Sequence, residues 1–220
     1  MAINNKVRLS GSVDDQSKYS NVIIEDLEEN VAEALVSLQY PDINGNGTAD
    51  EFDDFVQFNR NLISNYSRDE VVYLKGNDSY TITPNDSLEG KKIIFVEGDE
   101  GKGDVSIQFS GAWSENQNTT IISTGTVTLN QAGATDQTSQ LNIIAWSGYN
   151  ETTVLPGTHK GMIFTHGVAS FDEIHDTSVT YGSVVANGGL EFHEIWSNKT
   201  FHYADTRSNG VVPPGFEGLL

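Results

Sequence analysis

Gly161-Met-Ile-Phe-Thr-His-Gly-Val-Ala-Ser-Phe-Asp-Glu-Ile174 and Gly182-Ser-Val-Val-Ala-Asn-Gly-Gly-Leu-Glu-Phe-His-Glu-Ile195 align without a gap over fourteen positions at an offset of 21 residues. Gly161 meets Gly182, Ile163 meets Val184, Gly167 meets Gly188, Phe171 meets Phe192 and Ile174 meets Ile195. The nucleus of this pair is an apolar residue followed four positions later by glycine. It recurs upstream as Ile94 to Gly98, Ile121 to Gly125 and Ile144 to Gly148, five copies in all, with glycine separations of 27, 23, 19 and 21 residues. A period near 20 residues, built of short β-branched runs and turns, suits one coil of a parallel β-helix. Each coil adds one strand spacing of roughly 4.8 Å, so five coils rise roughly 19 Å. Ile94, Ile144, Ile163 and Val184 are then expected to stack as an inward ladder, and the repeated glycine to occupy a corner with positive φ. The expected fold is mainly β: a right-handed parallel β-helix of about five coils over residues 70–220. A β-sandwich is the competing architecture, because it too gives short strands with regular turns. The long period with in-phase glycines favours the helix.

Residues 1–69 have another rhythm. From Asn21 to Gln39, Ile24, Leu27, Val31, Ala34, Leu35 and Leu38 follow helical spacing, with Glu25, Asp26, Glu28 and Glu29 in the first turns and Pro41 as a stop. A second helix is expected from Asp50 to about Tyr66, its stripe formed by Phe52, Phe55, Val56, Asn59, Leu62, Ile63 and Tyr66. Lys6-Val-Arg-Leu9 reads as a strand. The end of a β-helix exposes unpaired backbone, and these helices are expected to cap the first coil.

Between the two helices lies Asp42-Ile-Asn-Gly-Asn-Gly-Thr-Ala-Asp-Glu-Phe-Asp53, which fits the twelve-residue calcium-loop spacing. Asp42, Asn44 and Asn46 supply side-chain oxygens at positions 1, 3 and 5. Gly47 takes the sharp turn at position 6, Thr48 offers its carbonyl, Asp50 stands at position 9 and Asp53 at position 12. An aspartate at position 12 resembles dockerin loops more than those of EF-hand sensors. With two neutral Asn ligands and no second loop to pair with, a structural site of roughly 10⁻⁴–10⁻³ M affinity is expected.

Twelve basic against 31 acidic residues leave a formal charge of −19. That field repels nucleic acid and anionic lipid and suits divalent cations. The absence of cysteine removes disulfides, thiolate metal sites and cysteine nucleophiles together. No apolar run reaches the roughly 18 residues of a membrane span. The opening residues lack a signal-peptide core, so a signal or anchoring helix is expected to lie outside this chain.

The alignment also stacks Asp172 under His193 and Glu173 under Glu194. On an outward face, one strand spacing apart, these would form a surface ladder: an Asp172–His193 ion pair beside a like-charge glutamate pair. Paired carboxylates perform acid–base chemistry in glycosidases, which leaves a polysaccharide lyase or hydrolase as the alternative to a solvated ladder. The remaining histidines lack metal-site spacing, and the repeat region is poor in Lys and Arg. Trp113, Trp146 and Trp196 suit packing at coil corners, or stacking on sugars.

Ile121-Ile-Ser-Thr-Gly-Thr-Val-Thr-Leu129, Gly182-Ser-Val-Val-Ala-Asn-Gly-Gly-Leu190 and the tail Val211-Val-Pro-Pro-Gly-Phe-Glu217 resemble the C-terminal β-helical region of PilX-type pilus-assembly proteins. The likeness covers roughly residues 70–217. Members of that family begin with a hydrophobic pilin-like helix, which this chain does not contain. The resemblance implies a non-enzymatic, extracellular or cell-surface component, associated with type IV pili and engaged in assembly or adhesion. Pilus or cell-surface proteins, or glycans, are its expected partners. It carries no catalytic residues over.

Overall fold

The computed structural model describes residues 22–25, 40–49, 51–83, 90–108, 117–131, 139–153, 157–203 and 213–216. After strand β1 (Val22–Glu25) and helix α1 (Phe52–Ile63) come thirteen strands. They are β2 (Val71–Lys75), β3 (Tyr80–Ile82), β4 (Ile93–Glu97), β5 (Val105–Gln108), β6 (Asn118–Ser123), β7 (Thr126–Gln131), β8 (Gln140–Ala145), β9 (Gly148–Thr153), β10 (Gly157–Thr165), β11 (Val168–Ile174), β12 (Ser178–Ala186), β13 (Gly189–Phe192) and β14 (Lys199–Tyr203). All strand pairings among them are parallel. Even-numbered strands with β1 form an eight-stranded sheet, β1-β14-β12-β10-β8-β6-β4-β2, and the odd-numbered ones from β13 to β3 form a six-stranded sheet. Each coil gives one strand to each sheet. This is a parallel β-solenoid of about five turns, as the repeat predicts.

The five motif copies run through β4, β6, β8, β10 and β12, and Val72 to Gly76, in register with Ile94 to Gly98 on β4, continues the same spacing on β2. The inward ladder differs in one rung. Ile94, Ile121, Ile143, Ile163 and Val184 stand in register and pack in the interior. Ile144 instead pairs with Ile122 and Phe164 and faces the opposite side. The reason is local: Gly148 opens β9 opposite Thr126 and Val168, so Ser147 takes the corner that Gly125 and Gly167 hold in neighbouring coils.

The motif glycines also serve a different purpose from the one expected. Gly98, Gly125, Gly148, Gly167 and Gly188 do not lie in the left-handed region. A Cβ on Gly188 would stand 2.6 Å from the Gly167 carbonyl carbon, and one on Gly167 would meet the Ser147 carbonyl oxygen. Glycine is required there because successive coils touch backbone to backbone.

The two sheets differ in burial, and the sequence explains why. The six-stranded sheet alternates, as in Val105–Gln108, with one face in the core and the other open. Ile93–Glu97 is buried throughout, as expected of strands covered on both faces. Its outer cover is α1: Phe55, Val56 and Leu62 share a second core with Ile93, Phe95, Ile122, Ile144 and Phe164. The helix thus lies on the flank of the stack, against β4 and against Trp146 at the end of β8, and not over the open end of the first coil, where it was expected as a cap. Asn59, the polar residue in the apolar stripe, is buried and donates its amide N–H to the Phe55 carbonyl at 2.9 Å. Phe216 joins this outer core, and Thr120 hydrogen-bonds the Pro214 carbonyl, so the Pro-Pro-Gly-Phe segment also lies on this flank.

The predicted helix over 21–39 is corrected at its start. Val22–Glu25 is a strand, paired with Lys199–His202 of β14 at the far end of the large sheet. Edge pairing there outweighs a helical pattern, because the last strand's backbone groups need partners. The remainder of that predicted helix, 26–39, and the predicted strand at 6–9 lie outside the described residues. Among the described residues no helix is long and apolar enough to cross a membrane.

Candidate functional site

The segment before α1 is organised by Asp42. One carboxylate oxygen accepts the Gly45 N–H at 2.6 Å and the Asn46 N–H at 3.2 Å; the other accepts the Gly47 N–H at 2.8 Å. The Asn44 side-chain oxygen accepts the Asn46 N–H at 2.9 Å, and that of Asn46 accepts the Thr48 N–H at 2.7 Å. Gly45 and Gly47 adopt φ of 74° and 89°, a conformation that costs other residues strain. The chain therefore curls around the side-chain oxygens of positions 1, 3 and 5, with the sharp turn where Gly47 was expected to make it. Asp53 is exposed in the first turn of α1. Asp50 lies outside the described residues. Among the described residues no three His, Cys, Asp or Glu side chains cluster as a metal site; the oxygens gathered here belong to one Asp and two Asn.

Asp54 was not singled out in the sequence. It is fully buried, and its Oδ1 accepts the Ile43 N–H at 2.9 Å and the Asn44 N–H at 3.2 Å. This carboxylate joins α1 to the entry of the loop. The docked helix and the curled loop are therefore one mechanical unit. Asn46 also donates its amide to Glu51 at 2.7 Å.

Beside the loop, α1 and the corner of the first coils enclose a cleft of about 740 Å³. Asn44, Asp53, Arg60, Lys75, Glu97 and Asp99 are among the residues that line it. The Arg60 guanidinium grips Glu97 through two nitrogens, at 2.7 and 2.5 Å. Lys75 Nζ approaches the same carboxylate at 3.1 Å, and the Tyr73 hydroxyl donates to it at 2.5 Å. Arg60, assisted by Tyr73 and Lys75, holds the Glu97 carboxyl down to about 2 in spite of its burial. These residues come from α1, β2 and β4, and no local motif unites them.

The expected surface ladder is present as register. Asp172 aligns with His193 and Glu173 with Glu194, between the Phe171–Phe192 pair and the Ile174–Ile195 bridge. Both glutamates hold φ near +50°, at 50° and 46°, uncommon for non-glycine residues. Glu173 is the extra residue where β11 slips against β9. The expected Asp172–His193 ion pair is not formed. Asp172 accepts the Glu173 N–H at 2.8 Å, and His193 Nε2 approaches Glu191 at 3.3 Å. The bulge spends the aspartate on its own turn.

Trp146 is buried at the α1 flank and stacks on His166 with ring centroids 4.0 Å apart. Trp196 is 68% exposed, over His175. Trp113 lies outside the described residues.

Comparison with protein-family models, with curated proteins and with solved structures finds no match to this chain.

Proposed function

We propose that this protein is a non-enzymatic, calcium-stabilised binding module of the cell surface, in which calcium fastens α1 to a rigid β-solenoid. The observation that carries the reading is the loop: Asp42 gathers three N–H groups while Gly45 and Gly47 turn the chain around it. Calcium requires six to eight hard oxygens about a bend. Asp42, Asn44, Asn46 and Asp53, with the Thr48 carbonyl and Asp50, would supply them, and the ion would neutralise charge in a chain of −19. Assembly or adhesion, in the manner of a pilus-associated component, suits a stiff acidic stack whose outer surfaces are free for protein or glycan partners. Glu173, His193 and Glu194 are exposed and Asp172 is half-buried, and all four stand apart from the cleft, which favours a solvated ladder over a catalytic pair.

Calorimetric titration with calcium tests this reading. Binding in the 10⁻⁴–10⁻³ M class is expected, accompanied by a rise in Tm and lost in Asp42→Ala. Absence of heat and of stabilisation at several millimolar calcium would overturn it. Turnover of acidic or neutral polysaccharides, abolished by Glu194→Gln, would favour the lyase or hydrolase alternative.

A further inference from the structure

An asparagine side chain is open to attack by the next backbone nitrogen when glycine follows, because no Cβ hinders the approach. The sequence places Asn-Gly at four points, 44–45, 46–47, 187–188 and 209–210, the last outside the described residues. At Asn187 the attacking nitrogen is locked in the stack: the Gly188 N–H donates to the Gly167 carbonyl at 2.9 Å. In the loop the locks are side chains. Asp42 accepts the Gly45 N–H at 2.6 Å and the Gly47 N–H at 2.8 Å, so one carboxylate restrains both attacking nitrogens. Asn46 is also held at both ends of its amide, Oδ1 by the Thr48 N–H and Nδ2 by Glu51, each at 2.7 Å. Asn44 is exposed and held at Oδ1 alone, by the Asn46 N–H at 2.9 Å. Among the described residues its Nδ2 donates to no partner. Opening an exposed loop needs far less free energy than opening the stack.

We propose that Asn44 is a site of spontaneous deamidation, converting to an acidic residue when the loop opens, with Asp42 as the gate. The Gly45 nitrogen attacks Asn44 Cγ and closes a cyclic imide. The Cγ–Nδ2 bond breaks, and ammonia leaves with the Gly45 N–H proton. Water then opens the ring. Opening at Cγ leaves aspartate in the chain; opening at the backbone carbonyl leaves isoaspartate, with an extra methylene in the main chain. In sum a water is consumed and an ammonia released. Aspartate at position 3 would strengthen a calcium loop, since affinity follows the charge count of the ligands. Isoaspartate lengthens the turn and moves the carboxylate off position 3, which weakens the loop. The inference stands on the hydrogen bonds of Asp42 and touches the calcium reading at one point: an ion that closes the loop would slow the conversion.

The test is incubation of the intact protein in mildly alkaline, calcium-free buffer, with peptide mapping by mass spectrometry to read each asparagine separately. Each native rate is divided by the rate of the same site in urea, which removes sequence effects. Asn44 is expected to convert first, Asn46 more slowly and Asn187 slowest. Asp42→Ala is expected to accelerate Asn44 and Asn46 about tenfold, the worth of one charge-assisted hydrogen bond on each nitrogen, and to leave Asn187 unchanged. Loop rates unchanged or slowed in Asp42→Ala, with Asn187 still protected, overturn the inference. Should Asn187 accelerate too, the variant has lost its fold and the native order decides. A native order that does not put Asn44 first, or an Asn44 rate equal in native buffer and in urea, overturns the inference as well. Calcium near ten times Kd is expected to slow both loop sites about tenfold further. Protection by Asp42 with no calcium effect keeps the gate and removes the calcium reading. Calcium heat with no protection by Asp42 keeps that reading and removes the gate.

Discussion

Lys199 Nζ lies 2.5 Å from Glu151 Oε1 inside the solenoid, with both side chains fully buried. Glu151 occupies a rung of an otherwise apolar ladder, in register with Leu129 and Phe171. The ammonium also reaches the hydroxyls of Ser178 and Thr180, at 2.9 and 2.8 Å, and lies 5.0 Å from the ring centroids of Phe171 and Phe201. Tyr149 and Ser178 donate to Glu151 at 3.0 and 2.6 Å. Burial pushes the Glu151 carboxyl up, but Lys199, Ser178 and His159 together hold its pKa below the usual carboxylate value. Such a pair adds little net stability over an apolar substitute, yet breaking it strands a charge. Lys199→Met is expected to cost about 3–5 kcal/mol in denaturant unfolding, and Lys199→Met with Glu151→Leu to recover most of that loss. Similar stability of the single and double variants would contradict this.

His159, buried next to this network, makes stability depend on pH. Burial, opposed by Glu151, pushes its pKa down to about 4 from 6.5. Nε2 donates to the Leu141 carbonyl at 2.8 Å, and Nδ1 has no hydrogen-bond partner, as a neutral ring allows. Between these two values the unfolded chain binds more protons than the folded one. Stability is therefore complete above about pH 6.5 and falls by about 3 kcal/mol as the pH drops to about 4. Glu97, held at about 2, contributes stability present above its ordinary value of 4.5 and lost as the pH falls through 2. His159→Gln, which keeps a donor for Leu141, is expected to flatten the profile between pH 6.5 and 4 and to leave the more acidic limb.

Close backbone contact between coils predicts an order among glycine variants. Gly188→Ala places its Cβ 2.6 Å from the Gly167 carbonyl carbon, whereas Gly148→Ala meets the Val168 carbonyl oxygen at 3.2 Å. The first is expected to lower stability by about 1–3 kcal/mol, and the second by clearly less. Equal costs would show that chain entropy, common to both, dominates.

The solenoid was legible because its corners are marked by glycine and its rungs by β-branched residues at a nearly constant period. Ile144 was misplaced because its copy carries Ser147 at the corner, which shifts the visible glycine by one residue. The same shift hid Glu151 among its apolar rung-mates, and its partner lies 48 residues away. Strand β1 was unreadable locally, since its conformation comes from an edge formed by the opposite end of the chain. The loop was legible as a single twelve-residue pattern. Asp54 escaped notice because it acts one residue beyond that pattern. The cleft was hidden because Arg60, Lys75 and Glu97 meet only when α1 docks on the first coils.

Amide hydrogen exchange with and without calcium tests most directly whether the ion fastens the helix to the stack. At calcium near ten times Kd, exchange across residues 42–63 is expected to slow about tenfold, with strand amides of the inner coils unchanged. Identical exchange of the loop and α1 in calcium and in chelator would contradict the account.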